Sequence, residues 1–200
     1  MNGPRLVGVA TLGLLGLFAS VLATQGSDEA GLRALVRVTA RASFLIFIAV
    51  YAASSWRRVF PGAASHWLLR NRRYLGLSFA VAHLLHLDAI WLLSLLLGDA
   101  FRVDPITGIF GGIAYALIGA MALTSSDRAV AWLGPRRWNA LHRLGIHWIW
   151  GVFAFDWTLS CFESLAYLPL AALSYGALGL RLAARRARAR AGSPVPAGAA

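Results

Sequence analysis

Four histidines, His83, His86, His142 and His147, are the side chains in this sequence whose type and setting suit chemistry. Each stands in an apolar run long enough to cross a bilayer, where an ionisable group costs roughly 2.5 kcal/mol or more at the centre and needs a compensating partner. Imidazole nitrogen is a good ligand for iron, and a haem gripped between two helices takes one axial imidazole from each side. Both runs open on the same anchor, Arg72-Arg73 and Arg136-Arg137, so depth can be counted from there. His83 and His147 lie about 15 Å along their helices, His86 about 20 Å and His142 about 8 Å. Depth alone pairs His147 with His83 or His86, although a one-turn stagger would readmit His142. Rotation adds a second constraint: His83 and His86 are roughly 60° apart and can share a face, whereas His142 and His147 are roughly 140° apart and cannot both face one haem squarely.

Two other uses compete for these histidines. An intramembrane histidine can serve as a hydrogen-bonding packer between helices, and a non-haem metal site would need a carboxylate, for which Asp88 is the one deep residue. Asp88 is better suited to orienting an imidazole N–H or pairing with an arginine. His66 falls in the segment 61–71, which reads as a loop or a short helix lying in the headgroup region, and is set aside as a ligand.

The elements that must position these residues follow from composition. The chain is 58% hydrophobic and only 14% charged, with eight Trp and ten Phe among 200 residues. That balance defines an integral membrane protein and an all-α class. The net charge of +11 comes from 19 arginines and no lysine. Because the arginines sit between the apolar runs, they mark loops beside a lipid bilayer and not a nucleic-acid surface. The lone Cys161 excludes an intramolecular disulfide and a cysteine-based metal cluster. The absence of lysine points to GC-rich coding and a bacterial source.

Six spans are expected, at about 6–24, 42–55 (extended back into 36–40), 74–97, 106–124, 139–159 and 165–182, each near the length that crosses a roughly 30 Å core. The first exceeds the roughly 7–15-residue core of a cleaved signal and reads as a retained span. With six spans, one side collects Arg57-Arg58, Arg72-Arg73, Arg136-Arg137 and the arginines after residue 180, against Arg33, Arg37, Arg41 and Arg102 on the other. The positive-inside rule then places both termini in the cytoplasm of a bacterial inner membrane. The basic tail, 184–200, is expected to be disordered or to lie on the membrane surface.

Arg72-Arg73-x-Leu75-Gly76-Leu77 followed by Leu85-His86, and Trp138 followed by Leu141-His142-Arg143-Leu144, resemble the ferric-reductase-like transmembrane domain. That family takes in haem-binding membrane subunits of methionine sulfoxide reductase systems and the membrane core of NADPH oxidases. The resemblance implies that residues 1–183 form a six-helix domain carrying haem b and moving electrons, with His86 and His142 as ligands by motif position. The family's second histidine on the fifth helix falls on Phe155 here, so one haem is expected instead of two stacked ones. No flavin or nicotinamide domain follows the sixth span, so the chain is read as an oxidoreductase subunit whose electrons come from a separate protein, a partner's flavin or a quinol. The alternative reading is a haem-free membrane accessory or scaffold protein with structural histidines.

Overall fold

A computed structural model describes residues 2–191. Among them the chain forms α1 (Pro4–Gln25), α2 (Glu29–Val59), α3 (Ala63–Arg70), α4 (Arg72–Leu97), α5 (Pro105–Leu123), α6 (Asp127–Glu163) and α7 (Leu168–Ala191), with two short 3-10 turns and no strand. Five helices are long and apolar enough to cross a membrane: Pro4–Gln25, Glu29–Val59, Arg72–Ala100, Pro105–Leu123 and Leu165–Arg190. At 37 residues α6 is the longest helix, but Arg143, His147, Asp156 and five tryptophans make it less apolar than those five.

Local sequence accounts for the ends of these helices. The Asp28 carboxylate accepts from the Gly31 amide at 2.9 Å and so starts α2 thirteen residues before the expected span at 42. Asp104 caps α5 in the same way, ahead of Pro105 at the first helical position. Gly134, at φ 74°, and Pro135 break α6 into a short segment and a long one, so residues 127–133 are helical where a basic loop was expected. The segment around His66 is a helix, α3, and the buried Asn71 joins it to α4 while bonding Asn2 and the Gly3 amide. Helix α7 continues through Arg190, so the basic stretch expected as tail begins as helix; residues 192–200 of that tail lie outside the described residues.

Helix α2 is the hub of the bundle and packs on α1, α3, α4, α6 and α7. Its aromatic stripe, Phe44, Phe47 and Tyr51, meets Phe79 of α4 and Phe153 and Trp157 of α6, with ring centroids 5.2–5.7 Å apart. A smaller cluster of Val21, Leu32, Leu35, Ala89 and Leu93 joins α1, α2 and α4 at the other end. By contrast, no Cα of α4 comes within 8 Å of a Cα of α6, so the two histidine-bearing helices stand apart across the interior.

The turn from α1 to α2 sets one sharp steric limit. A Cβ on Gly31 would run into the carbonyls of Gln25 and Gly26, which are backbone and cannot swing aside. Gly31→Ala is therefore expected to lower stability by about 1–3 kcal/mol. A thermal melt of the detergent-solubilised protein that matches wild type would contradict this.

Candidate functional site

The hydrogen bonds of the four histidines fix how each ring is anchored. The Ser43 hydroxyl donates to the Ala40 carbonyl at 3.0 Å, so its oxygen can only accept from His83 Nδ1, 3.2 Å away. Likewise the Thr39 hydroxyl spends its proton on the Leu35 carbonyl at 2.8 Å and accepts from His86 Nδ1 at 3.1 Å. On α6, His142 Nδ1 donates to the Trp138 carbonyl at 3.1 Å and His147 Nδ1 to the Arg143 carbonyl at 2.7 Å. All four rings are thus held through Nδ1, and the His142 ring also meets the Met121 carbonyl and the His86 ring the Val36 carbonyl. A hydrogen bond that orients the ring in this way is the arrangement found behind metal-ligating histidines.

The four rings do not converge. His83 and His86 are neighbours, with centroids 5.4 Å apart, and both are clamped to α2 by the hydroxyls just described. His83 also packs on Tyr115 of α5 at 4.7 Å and on the edge of Phe153 of α6 at 5.7 Å, so at its level α6 presents a phenyl ring. His147, the partner chosen by depth, faces the edge of Tyr51 on α2 at 5.9 Å. His142 stacks on Trp138 at 4.0 Å, and the Trp138 Nε1 donates to the Thr124 carbonyl at 2.9 Å. Among the described residues no three histidine, cysteine or carboxylate side chains gather as a metal cluster.

The gap between α4 and α6 holds a cavity of about 460 Å³, and His142 is the histidine in its wall. Phe47, Phe79, Ile118 and Ile146 give it apolar sides. Arg70, Arg72, Arg73, Arg143 and Arg181 crowd the same hollow with positive charge. Only Arg73 is paired by a carboxylate, Asp127 at 2.7 Å. On the α4 side the wall includes Gly76, where an added Cβ would meet nothing within 4 Å. From Gly76 the cavity-facing stripe of α4 runs through Phe79 and Ala80 to His83, which stands seven positions, about 10 Å, deeper. Sequence reasoning placed His142 but missed Arg143, Arg181, Gly76 and Met121 as wall residues. Arg143 and Gly76 carried a local signal, as members of the two quoted motifs; Arg181 and Met121 carried none.

The Ser43 and Thr39 bonds are testable as they stand. Thr39→Val keeps the shape of the side chain but removes the hydroxyl acceptor from the half-buried His86 ring, and is expected to cost about 0.5–2 kcal/mol. An unchanged melting temperature would show that the bond contributes nothing.

Fold and cavity together define an all-helical integral membrane protein with an arginine-rimmed cavity that presents a single imidazole. Over 99 residues the chain is 39% identical to the haem-binding subunit MsrQ of the protein-methionine-sulfoxide reductase of Azospira oryzae. The match covers 42% of this chain and 42% of that relative, so it spans less than half of each. This similarity bears out the resemblance carried by the two helix starts. No family model matches the chain, and no solved structure does.

Proposed function

We propose that the chain is a haem-binding membrane subunit that passes electrons from a separate donor, a protein or a quinol, to a separate acceptor. The observation that carries this reading is the cavity: an imidazole anchored through Nδ1, a glycine in the same wall with open space beside it, and a cationic rim. The donor set suits one haem b. His142 would bind iron through Nε2, the arginines would bind the two propionate carboxylates in the bidentate geometry that guanidinium favours, and Phe47, Phe79 and Trp138 would shield the ring faces from water. When bound, haem supplies a one-electron couple. The chain's own residues set its surroundings: guanidiniums raise the local positive potential and the aromatic walls keep the dielectric low. The bis-histidine arrangement expected from depth finds less support than single-histidine binding, because His142 is the histidine in the cavity wall and Phe153 packs against His83.

In this reading α6 is a sixth span that tolerates its polar residues by facing the cavity, and both termini lie in the cytoplasm of a bacterial inner membrane. The relative's printed role, in a methionine sulfoxide reductase, makes a reductase partner subunit the natural acceptor. A reduced-minus-oxidised spectrum of the detergent-purified protein is the direct test. An α-band of the b type supports the reading, and a preparation that stays colourless after haem is supplied rejects it. A haem-free scaffold is favoured by one observation, the clamping of His83 and His86 to α2, which glues helices without any cofactor. The same spectrum separates the two.

A further inference from the structure

A second hollow, of about 530 Å³, opens between the end of α2 and the last turns of α7, walled by Ser54, Ser55, Arg58, Arg181, Arg185 and Arg188. Four guanidiniums in one recess repel one another, and none of them joins the ion pairs formed among the described residues, Arg33 with Glu29 and Arg73 with Asp127. Two are held from behind by carbonyls. Arg181 donates to the Tyr51 carbonyl at 2.7 Å with its guanidinium 4.4 Å over the Tyr51 ring, and Arg58 donates to the Ala184 carbonyl at 3.4 Å. A carbonyl fixes a guanidinium in place without cancelling its charge, so the recess is preorganised and remains cationic.

The donor set is specific in kind. Guanidinium forks beside hydroxyls match the oxygens of a phosphate group, and arginine binds phosphate bidentately where lysine offers a point charge. The location narrows the source. Both walls are the ends of helices apolar enough to span a bilayer, and exposed Trp56, Phe60 and Leu182 lie within a turn or so of the lining residues. Tryptophan beside clustered arginine marks the depth of lipid headgroups, where basic pockets between spans hold anionic lipid. We propose that this hollow binds the phosphate of an anionic phospholipid whose acyl chains run down the outer faces of α2 and α7. The hollow shares Arg181 with the His142 cavity and is otherwise walled by its own residues.

The test uses the full chain in nanodiscs of phosphatidylcholine with or without phosphatidylglycerol, with retained lipid read by native mass spectrometry after release. Wild-type protein is expected to retain phosphatidylglycerol selectively. The R58Q/R185Q/R188Q variant is expected to lose about 100-fold in that retention, each basic residue contributing a several-fold factor. Arg181 is left in place because it also walls the His142 cavity. Equal retention of both lipids by wild type, or undiminished retention by the variant, overturns the proposal. Excess inorganic phosphate that displaces the lipid supports phosphate recognition, whereas a protein that binds inorganic phosphate and no lipid overturns the lipid assignment. A matched R58K/R185K/R188K variant keeps the charge without the bidentate forks and is expected to retain less phosphatidylglycerol than wild type and more than the glutamine variant; full wild-type retention by this variant overturns the assignment of phosphate recognition to the guanidinium forks.

Discussion

Replacing His142 with alanine is expected to remove the haem absorption of the purified protein, while His147→Ala leaves it in place. The two residues lie on one helix, yet only the first reaches the cavity, since the second turns its ring to Tyr51. Even the loss of a hydrogen-bond partner behind a metal ligand costs about 10–100-fold in affinity, so loss of the ligand itself should cost at least as much. Neither substitution opens a large core void, because both side chains are only half-buried. Comparable melting curves of the haem-free proteins, with divergent spectra once haem is supplied, are therefore the expected pattern. The pyridine haemochrome of each variant, taken beside wild type, reads the result. A His147→Ala protein that loses its band, or a His142→Ala protein that keeps it, would move the site away from this cavity. The same preparation tests single-histidine binding: an iron with one protein imidazole and a free opposite face is high-spin and takes up carbon monoxide when reduced, whereas bis-histidine iron is low-spin and resists it.

Gly76→Leu is expected to do the opposite of most core substitutions. A glycine inside a helix costs about 1 kcal/mol relative to alanine, and here an added Cβ meets nothing within 4 Å, with the cavity beyond it. The folded protein should be as stable as wild type or more so. The cavity, however, would be partly filled by the leucine, and uptake of a flat ring against α4 should fall by at least an order of magnitude, as overpacking of a few methylenes costs about 1–3 kcal/mol. Haem titration and a melting curve on the same sample separate the two effects. Gly76→Ala provides the graded control. If Gly76→Leu binds haem as wild type does, the α4 wall is not where the group rests.

Much of the architecture was legible, and the reasons can be traced to particular residues. Charge pairs flanking apolar runs placed the starts of α4 and of the long segment of α6, because lipid tolerates arginine only at its edges. Helix α2 was under-read: Arg33, Arg37 and Arg41 suggested a polar connector. They repeat at helical spacing beside Leu35, Thr39 and Ser43, which are buried, so Arg33 and Arg37 lie on the outer face of one long amphipathic helix while Arg41 lies half-buried over the Tyr167 ring. The pairing of His83 with His147 failed to appear as a contact for a related reason. Depth is one coordinate, and the other is rotation about the axis. The roughly 140° between His142 and His147 already required that only one of them face a given gap. Which one did so depended on Tyr51 and Arg181, from α2 and α7, and no spacing within α6 reveals those neighbours. Motif position selected His142, and His142 is the histidine in the cavity wall. It also selected His86, which the Thr39 hydroxyl turns toward α2.

The separation of α4 from α6 carries a thermodynamic consequence. Without a direct seam between them, the bundle closes on one side through α2 and on the other through α5, and the apolar walls of the gap are left unmated. A molecule that fills the gap supplies the missing interface, so its binding energy becomes folding energy for the whole bundle. At a concentration one hundred times its dissociation constant that linkage amounts to about 2.7 kcal/mol. The empty bundle is thus the weaker structure, and the chain's yield and half-life in a cell would track the supply of the group that wedges α4 and α6 together.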